Sequence, residues 1–134
     1  MARYAYLDAS AIVKLVVAEP ETSALEHALL AYDGVITSRL AATEVVRAAR
    51  RGAPRRVLQR AEEVLESFVL MDVTTAILDR ASLLQPATLR TLDAIHLASA
   101  SGLQIPKLDF ITYDVPLAKA ADALGLRSLR PGLY

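Results

Sequence analysis

Four carboxylates in this chain are marked by their surroundings. Asp8 closes the apolar run Tyr4 to Leu7 in RYAYLDAS, and the residues after it, AIVKLVVA, continue with helical spacing. An apolar run that stops on an acid and turns at once into a helix reads as a buried strand ending at Asp8. Asp114 repeats the pattern, ending the run Lys107 to Tyr113 ahead of a helix with Pro116 in its first turn. Glu44 lies in LAATEVVRAA, between Leu40 and Ala48 on one side of a helix, and Asp93 lies in LDAIHLASA, a helix apolar almost all round. Each has an ordinary alternative. An Asp at a strand-to-helix turn caps the helix, Arg47 at i+3 offers Glu44 a surface pair, and Asp93 stands close enough after Thr91 to serve first-turn N–H groups.

Acids gathered in one crevice repel, and without a cation at least one takes up a proton. A divalent metal resolves the conflict. With no Cys and no paired His, the donors are oxygens, which select Mg²⁺ or Mn²⁺ over Zn²⁺. Such an ion keeps several waters, acidifies one for in-line attack on a phosphodiester and stabilises charge on the leaving oxygen, so no protein nucleophile is required.

The elements that must bring the acids together follow from the punctuation of the chain. Glu19-Pro20 closes the first helix, and Glu21 to Tyr32 forms a second with Ala24, Leu25, Ala28 and Leu29 on its buried stripe. After the turn Asp33-Gly34, a short strand Val35 to Thr37 leads through Ser38 into a helix from Arg39 to Arg51, ended by Gly52-Ala53-Pro54. A helix from Arg55 to Ser67 and a strand from Phe68 to Val73 follow. Thr74 or Thr75 caps a helix running to about Leu84, and Thr91 starts another, Leu92 to Ser101, stopped by Gly102. The strand before Asp114, a helix from Val115 to Leu124 and a final strand near Arg127 to Leu129 complete the chain.

Strands alternating with helices, at spacings too long for hairpins, imply an α/β three-layer sandwich: a mainly parallel central sheet of four to five strands with helices on both faces. Right-handed crossovers place the carboxyl ends of the parallel strands along one edge, so Asp8 and Asp114 share a crevice although they come from opposite ends of the sequence.

With 134 residues, 54% of them hydrophobic, the chain forms a single domain, 1–134, with a substantial core. No run of 18 apolar residues occurs and Asp8 and Lys14 interrupt the start, so neither a membrane span nor a signal peptide is expected. Absence of Cys is compatible with a reducing cytosol, and a cytoplasmic protein is expected. Net charge is formally zero, from 15 bases and 15 acids. Setting the four acids aside for metal leaves 15 bases against 11 acids, a formal +4 that suits a nucleic-acid partner. The basic residues are also concentrated. Seven arginines lie between Arg39 and Arg60, with Glu44 the single acid among them. A solvated helical face is the plain explanation for such a patch standing alone.

On four blocks, taken in order, the whole chain resembles a PIN-domain ribonuclease of the VapC toxin type: YLDASAIVKL, SRLAATEVVRA, TLDAIHLASA and FITYDVPLAKAADALGL. The resemblance implies that Asp8, Glu44, Asp93 and Asp114 bind Mg²⁺ or Mn²⁺ and catalyse hydrolysis of RNA, and that the hydroxyls of Ser10 and Thr112 orient water or an acid. Thr112 shares a strand face with Asp114 by the pleat alone, and Ser10 is otherwise a first-turn helix hydroxyl. The resemblance further implies a homodimer and a cognate antitoxin, the pair forming a type II toxin-antitoxin system. Arg39, Arg47, Arg50 and Arg51 are the candidates for RNA phosphate contacts. His96, one turn after Asp93, is near enough to touch the site, although a packed or surface histidine is the ordinary reading, and His27 is left out.

Three rivals are weaker. A haloacid-dehalogenase-type phosphatase has a second Asp two residues after its nucleophile, where this chain has Ser10. A receiver domain requires an acidic pair after its first strand and a phosphoacceptor Asp after a mid-chain strand, and the Val35 to Thr37 strand ends in Ser38. A PIN-like protein that binds RNA or a partner without cutting would be signalled by a lost acid, and all four are present.

Overall fold

Tyr4–Leu7 forms β1 because its side chains alternate between two apolar layers. Ala5 and Leu7 enter one core and Tyr6 the other, all three without measurable exposure. Burying Leu7 alone contributes roughly 1.5–3 kcal/mol. A strand committed on both faces belongs at the centre of a sheet. The computed structural model, which describes residues 1–133, places it there: five strands in the order β3-β2-β1-β4-β5, every neighbouring pair parallel.

The other strands are β2 (Gly34–Ser38), β3 (Val69–Met71), β4 (Asp109–Ile111) and β5 (Arg127–Leu129). One face carries α1 (Ala9–Val16), α2 (Thr22–Leu29), α3 (Arg39–Arg50) and α4 (Arg55–Glu66), which pack Ile12, Leu25, Val45 and Leu65 against Ala5, Leu7 and Ile111. The other face carries α6 (Thr91–Gly102) and α7 (Val115–Ala123), where Leu97 and Leu117 meet Tyr6 and Phe110. The rings of Tyr6 and Phe110 stack at 5.4 Å. α5 (Thr75–Leu83) packs on the outside of α6 through Ala81, Ala94, Ile95 and Ala98. The three-layer arrangement is therefore the expected one, with all five strands parallel.

Two expected strands are shorter than the sequence suggests. β3 pairs Val69, Leu70 and Met71 with Ile36, Thr37 and Ser38, and β4 pairs Asp109, Phe110 and Ile111 with Ala5, Tyr6 and Leu7. Apolar residues beyond those partners have no ladder to join. Helix α6 also starts differently: Arg90 occupies the capping position without a side-chain bond, so Thr91 does not cap it. Among the described residues no helix is long and apolar enough to cross a membrane.

Candidate active site

At the carboxyl ends of β1 and β4 two aspartates turn strands into helices. Asp8 caps α1, its Oδ1 accepting from the N–H of Ala11 at 3.1 Å, and Asp114 caps α7 by accepting from the N–H of Leu117 at 2.9 Å. The capping role weighed for these acids is thus real. For Asp8 it does not account for the rest of its surroundings.

Asp8 is only 3% exposed, and burial pushes its carboxyl above the usual range. Two hydroxyls oppose that cost. Thr112 donates to Oδ2 at 2.7 Å and Ser10 to Oδ1 at 2.7 Å, while the two hydroxyl oxygens lie 3.3 Å apart. Each is fixed in turn from the backbone: Ser10 accepts from the N–H of Tyr113 at 3.0 Å, and Thr112 accepts from that of Asp114 at 3.1 Å. The carboxylate of Asp8 is consequently held in one orientation at the sheet edge.

Asp93 reaches the same region from α6. Its carboxyl is raised first by burial and then by the like charges of Asp114 and Asp8, while His96 acts in the opposite direction. No hydrogen bond to the Asp93 carboxylate is present among the described residues, so it serves no N–H of its own helix. Asp93, on α6, therefore feels the acids at the ends of β1 and β4.

Glu44 approaches from α3, which begins where β2 ends with Ser38 capping it through Leu40. Instead of pairing with Arg47, Glu44 places Oε1 2.7 Å from Nε2 of His96. His96 is 1% exposed, and its Nδ1 lies 2.8 Å from the Tyr6 hydroxyl. Burial holds the Tyr6 phenol well above its ordinary range, so its proton stays in place. His96 is packed, the ordinary reading of it, but between two polar partners on other elements. A signal was present: it lies three residues after Asp93 on α6, and Tyr6 lies two before Asp8 on one strand face.

Among the described residues no three acidic or histidine side chains are arranged as a ready cage for a metal ion. The donor chemistry nonetheless fits a hard dication of the Mg²⁺ kind, which takes one or two carboxylates and retains its waters. Burial raises the carboxyls of both Asp8 and Asp93, and at Asp93 the charges of Asp114 and Asp8 add to it, a repulsion that such an ion would relieve.

The arginines divide into two groups. Arg39 donates through Nε to Asp72 at 2.8 Å, an exposed pair that ties it to the end of β3. Arg47, Arg50 and Arg51 are exposed and line one groove with Ala42, Thr43 and Val46. A larger concavity, about 730 Å³, lies at the opposite edge of the sheet. There Arg3 and Arg127 are already bound to Asp109, so it is not the acidic site.

The PIN domain family model matches residues 5–123. Ribonuclease VapC46 of Mycobacterium tuberculosis is 42% identical over 132 residues, covering 94% of this chain and 96% of that protein. Ribonuclease VapC47 of the same organism is 37% identical over 132 residues, covering 95% and 96%. Among solved structures, a toxin-antitoxin complex from Klebsiella pneumoniae superposes with a TM-score of 0.73 at 23% identity, covering 95% of this chain and 97% of that one. A DNA-bound VapBC from Salmonella typhimurium gives 0.75 at 16% identity, covering 96% and 98%. At these identities the superpositions speak for the fold.

Proposed function

This chain belongs to the PIN-domain family of VapC ribonucleases, and on that premise we propose that it is a Mg²⁺- or Mn²⁺-dependent endoribonuclease acting as the toxin of a type II toxin-antitoxin pair. The observation that carries the chemistry is the buried, hydroxyl-braced carboxylate of Asp8 beside Asp93 and Asp114, each close enough to raise the Asp93 carboxyl.

Asp8, Asp93, Asp114 and Glu44 are the residues that would hold the ion. When bound, a divalent ion supplies Lewis-acid stabilisation of phosphodiester charge and lowers the pKa of attacking water. Ser10 and Thr112 favour the ionised form of Asp8 against burial and aim it, and the backbone bonds to their hydroxyls keep them from rotating away. Arg47, Arg50 and Arg51 offer phosphate contacts that position RNA without reading its sequence. Arg39, engaged with Asp72, contributes less. An antitoxin partner is inferred from the toxin-antitoxin complexes that share the fold, and a homodimer from family membership. A PIN-like protein that binds RNA or a partner without cutting is the alternative, and the intact acid set weighs against it.

The test is incubation of the purified protein with total RNA in Mg²⁺ or Mn²⁺, with and without EDTA, beside Asp93→Asn. Cleavage that EDTA stops, metal restores and Asp93→Asn lacks is expected. RNA bound but uncut by the wild-type chain in every metal would leave the binding reading in place.

A further inference from the structure

His96 lies on a helix whose two buried or half-buried serines bond to carbonyls of that helix. Ser99, one turn on, donates to the carbonyl of Ile95 at 2.7 Å and needs nothing from outside α6. The buried imidazole of His96 bonds to no carbonyl of its own helix. Instead both ring nitrogens leave the helix. Nδ1 goes to Tyr6 on β1 at 2.8 Å, and Nε2 goes to Glu44 on α3 at 2.7 Å.

We propose that His96 is a positioning residue that fixes the Glu44 carboxylate in the catalytic edge by tying it to the Tyr6 hydroxyl in the core. The proposal rests on Glu44 belonging to the catalytic acid set. An ionised carboxylate only accepts, so in the neutral ring Nε2 carries the hydrogen and donates to Glu44. The carboxylate thus selects this tautomer, and Nδ1 accepts from the Tyr6 hydroxyl. Tyr6 itself cannot shift, being fully buried, stacked on Phe110 and edge-on to the imidazole with centroids 6.0 Å apart.

The effect on the site is geometric. The Glu44 side chain is 28% exposed and would otherwise sample several rotamers toward solvent. Held by His96, it is referenced to the helix that carries Asp93 and to the strand that ends at Asp8. Three of the four acids are thereby set in one frame: Tyr6 is two residues from Asp8, His96 is three from Asp93, and His96 grips Glu44.

The experiment compares His96→Leu, His96→Gln, Tyr6→Phe and Glu44→Gln in three measurements: Mn²⁺ affinity by calorimetry, single-turnover RNA cleavage, and the imidazole nitrogen NMR spectrum of the metal-free protein. In the metal-free wild type the ring is expected as the Nε2–H tautomer, and Glu44→Gln, whose amide can donate or accept, should release it to a mixture. His96→Leu should weaken Mn²⁺ binding or cleavage by about 10- to 100-fold, the loss usual for partners that orient ligands. His96→Gln retains an N–H donor toward Glu44 and should recover most of that loss. Adding His96→Leu to Glu44→Gln should cost nothing further.

A folded His96→Leu with wild-type Mn²⁺ affinity and cleavage, or losses that simply add in the double variant, would overturn the proposal. If His96→Leu does not fold, Tyr6→Phe decides, since wild-type Mn²⁺ affinity and wild-type cleavage in that variant refute it. Full activity in Glu44→Gln would remove Glu44 from the acid set. In that case the tautomer measurement still reports whether His96 and Glu44 are coupled.

Discussion

Thr112 donates its hydroxyl to Oδ2 of Asp8 at 2.7 Å, joining residues 104 positions apart. The bond favours the ionised carboxylate against the burial that would protonate it. Thr112→Val keeps the shape of the side chain and removes the donor. It should destabilise the protein in EDTA by about 1–3 kcal/mol, because a buried charge loses a partner. Single-turnover cleavage should fall at least about tenfold. Urea unfolding and cleavage kinetics check the two effects, and a wild-type rate would reduce Thr112 to packing.

Asp93 should be a source of instability in the metal-free protein. Burial and the charges of Asp114 and Asp8 raise its folded-state pKa above the unfolded value, and Asp8 is raised in the same sense. The folded state then binds protons more tightly than the unfolded one. The contribution of these two carboxyls is therefore most favourable at low pH and is lost as pH rises through their folded-state values. Asp93→Asn should raise the Tm in EDTA by a few degrees at neutral pH while abolishing cleavage, and Mg²⁺ should stabilise the wild type more than the variant. A lowered Tm would make Asp93 structural.

The opposite edge of the sheet has the opposite sign. Asp109 is buried, which alone would raise its carboxyl, but hydrogen bonds from Arg127 and Tyr32 and the charge of Arg3 outweigh burial and lower it. Arg127 donates twice, at 2.8 Å each. A depressed folded-state pKa contributes stability above the unfolded value, about 3.9, and loses it as pH falls through the folded value. Asp109→Asn should cost about 1–3 kcal/mol at neutral pH and flatten the acid limb of the stability curve. Cleavage by the folded variant should be unchanged, since Asp109 begins the strand that Asp114 follows. Circular dichroism against pH, with an activity assay, tests both.

Reversing Arg47, Arg50 and Arg51 to Glu should weaken RNA binding. Every phosphate of single-stranded RNA that is no longer neutralised lowers the salt slope by about 0.7, so three lower it by roughly 2. Arg39→Glu should have a smaller effect, because its guanidinium is already engaged by Asp72. Fluorescence anisotropy across salt concentrations measures both, and an unchanged slope in the triple variant would assign the groove to solubility.

The acids at strand ends were legible because a two-faced apolar strand stops abruptly at Asp8 and because β4 leads through Thr112 to Asp114. The last strand, Arg127 to Leu129, was legible between Gly125 and the tail. The ends of β3 and β4 were not, since apolar residues continue past the point where their neighbours stop pairing. His96 was hidden for a different reason. Helix α6 is buried over most of its surface, from Ala94 to Ala100, so periodicity assigns no outward face against which a polar residue stands out. Its partners, 52 and 90 positions distant, lie beyond any local pattern.

The place of β1 between β2 and β4 bears on how such a protein is made. The strand that leaves the ribosome first waits, one flank bare, for one synthesised about a hundred residues later, and Asp8 waits with it for Thr112. The braced carboxylate of Asp8 is therefore not assembled until synthesis has passed β4 and Thr112.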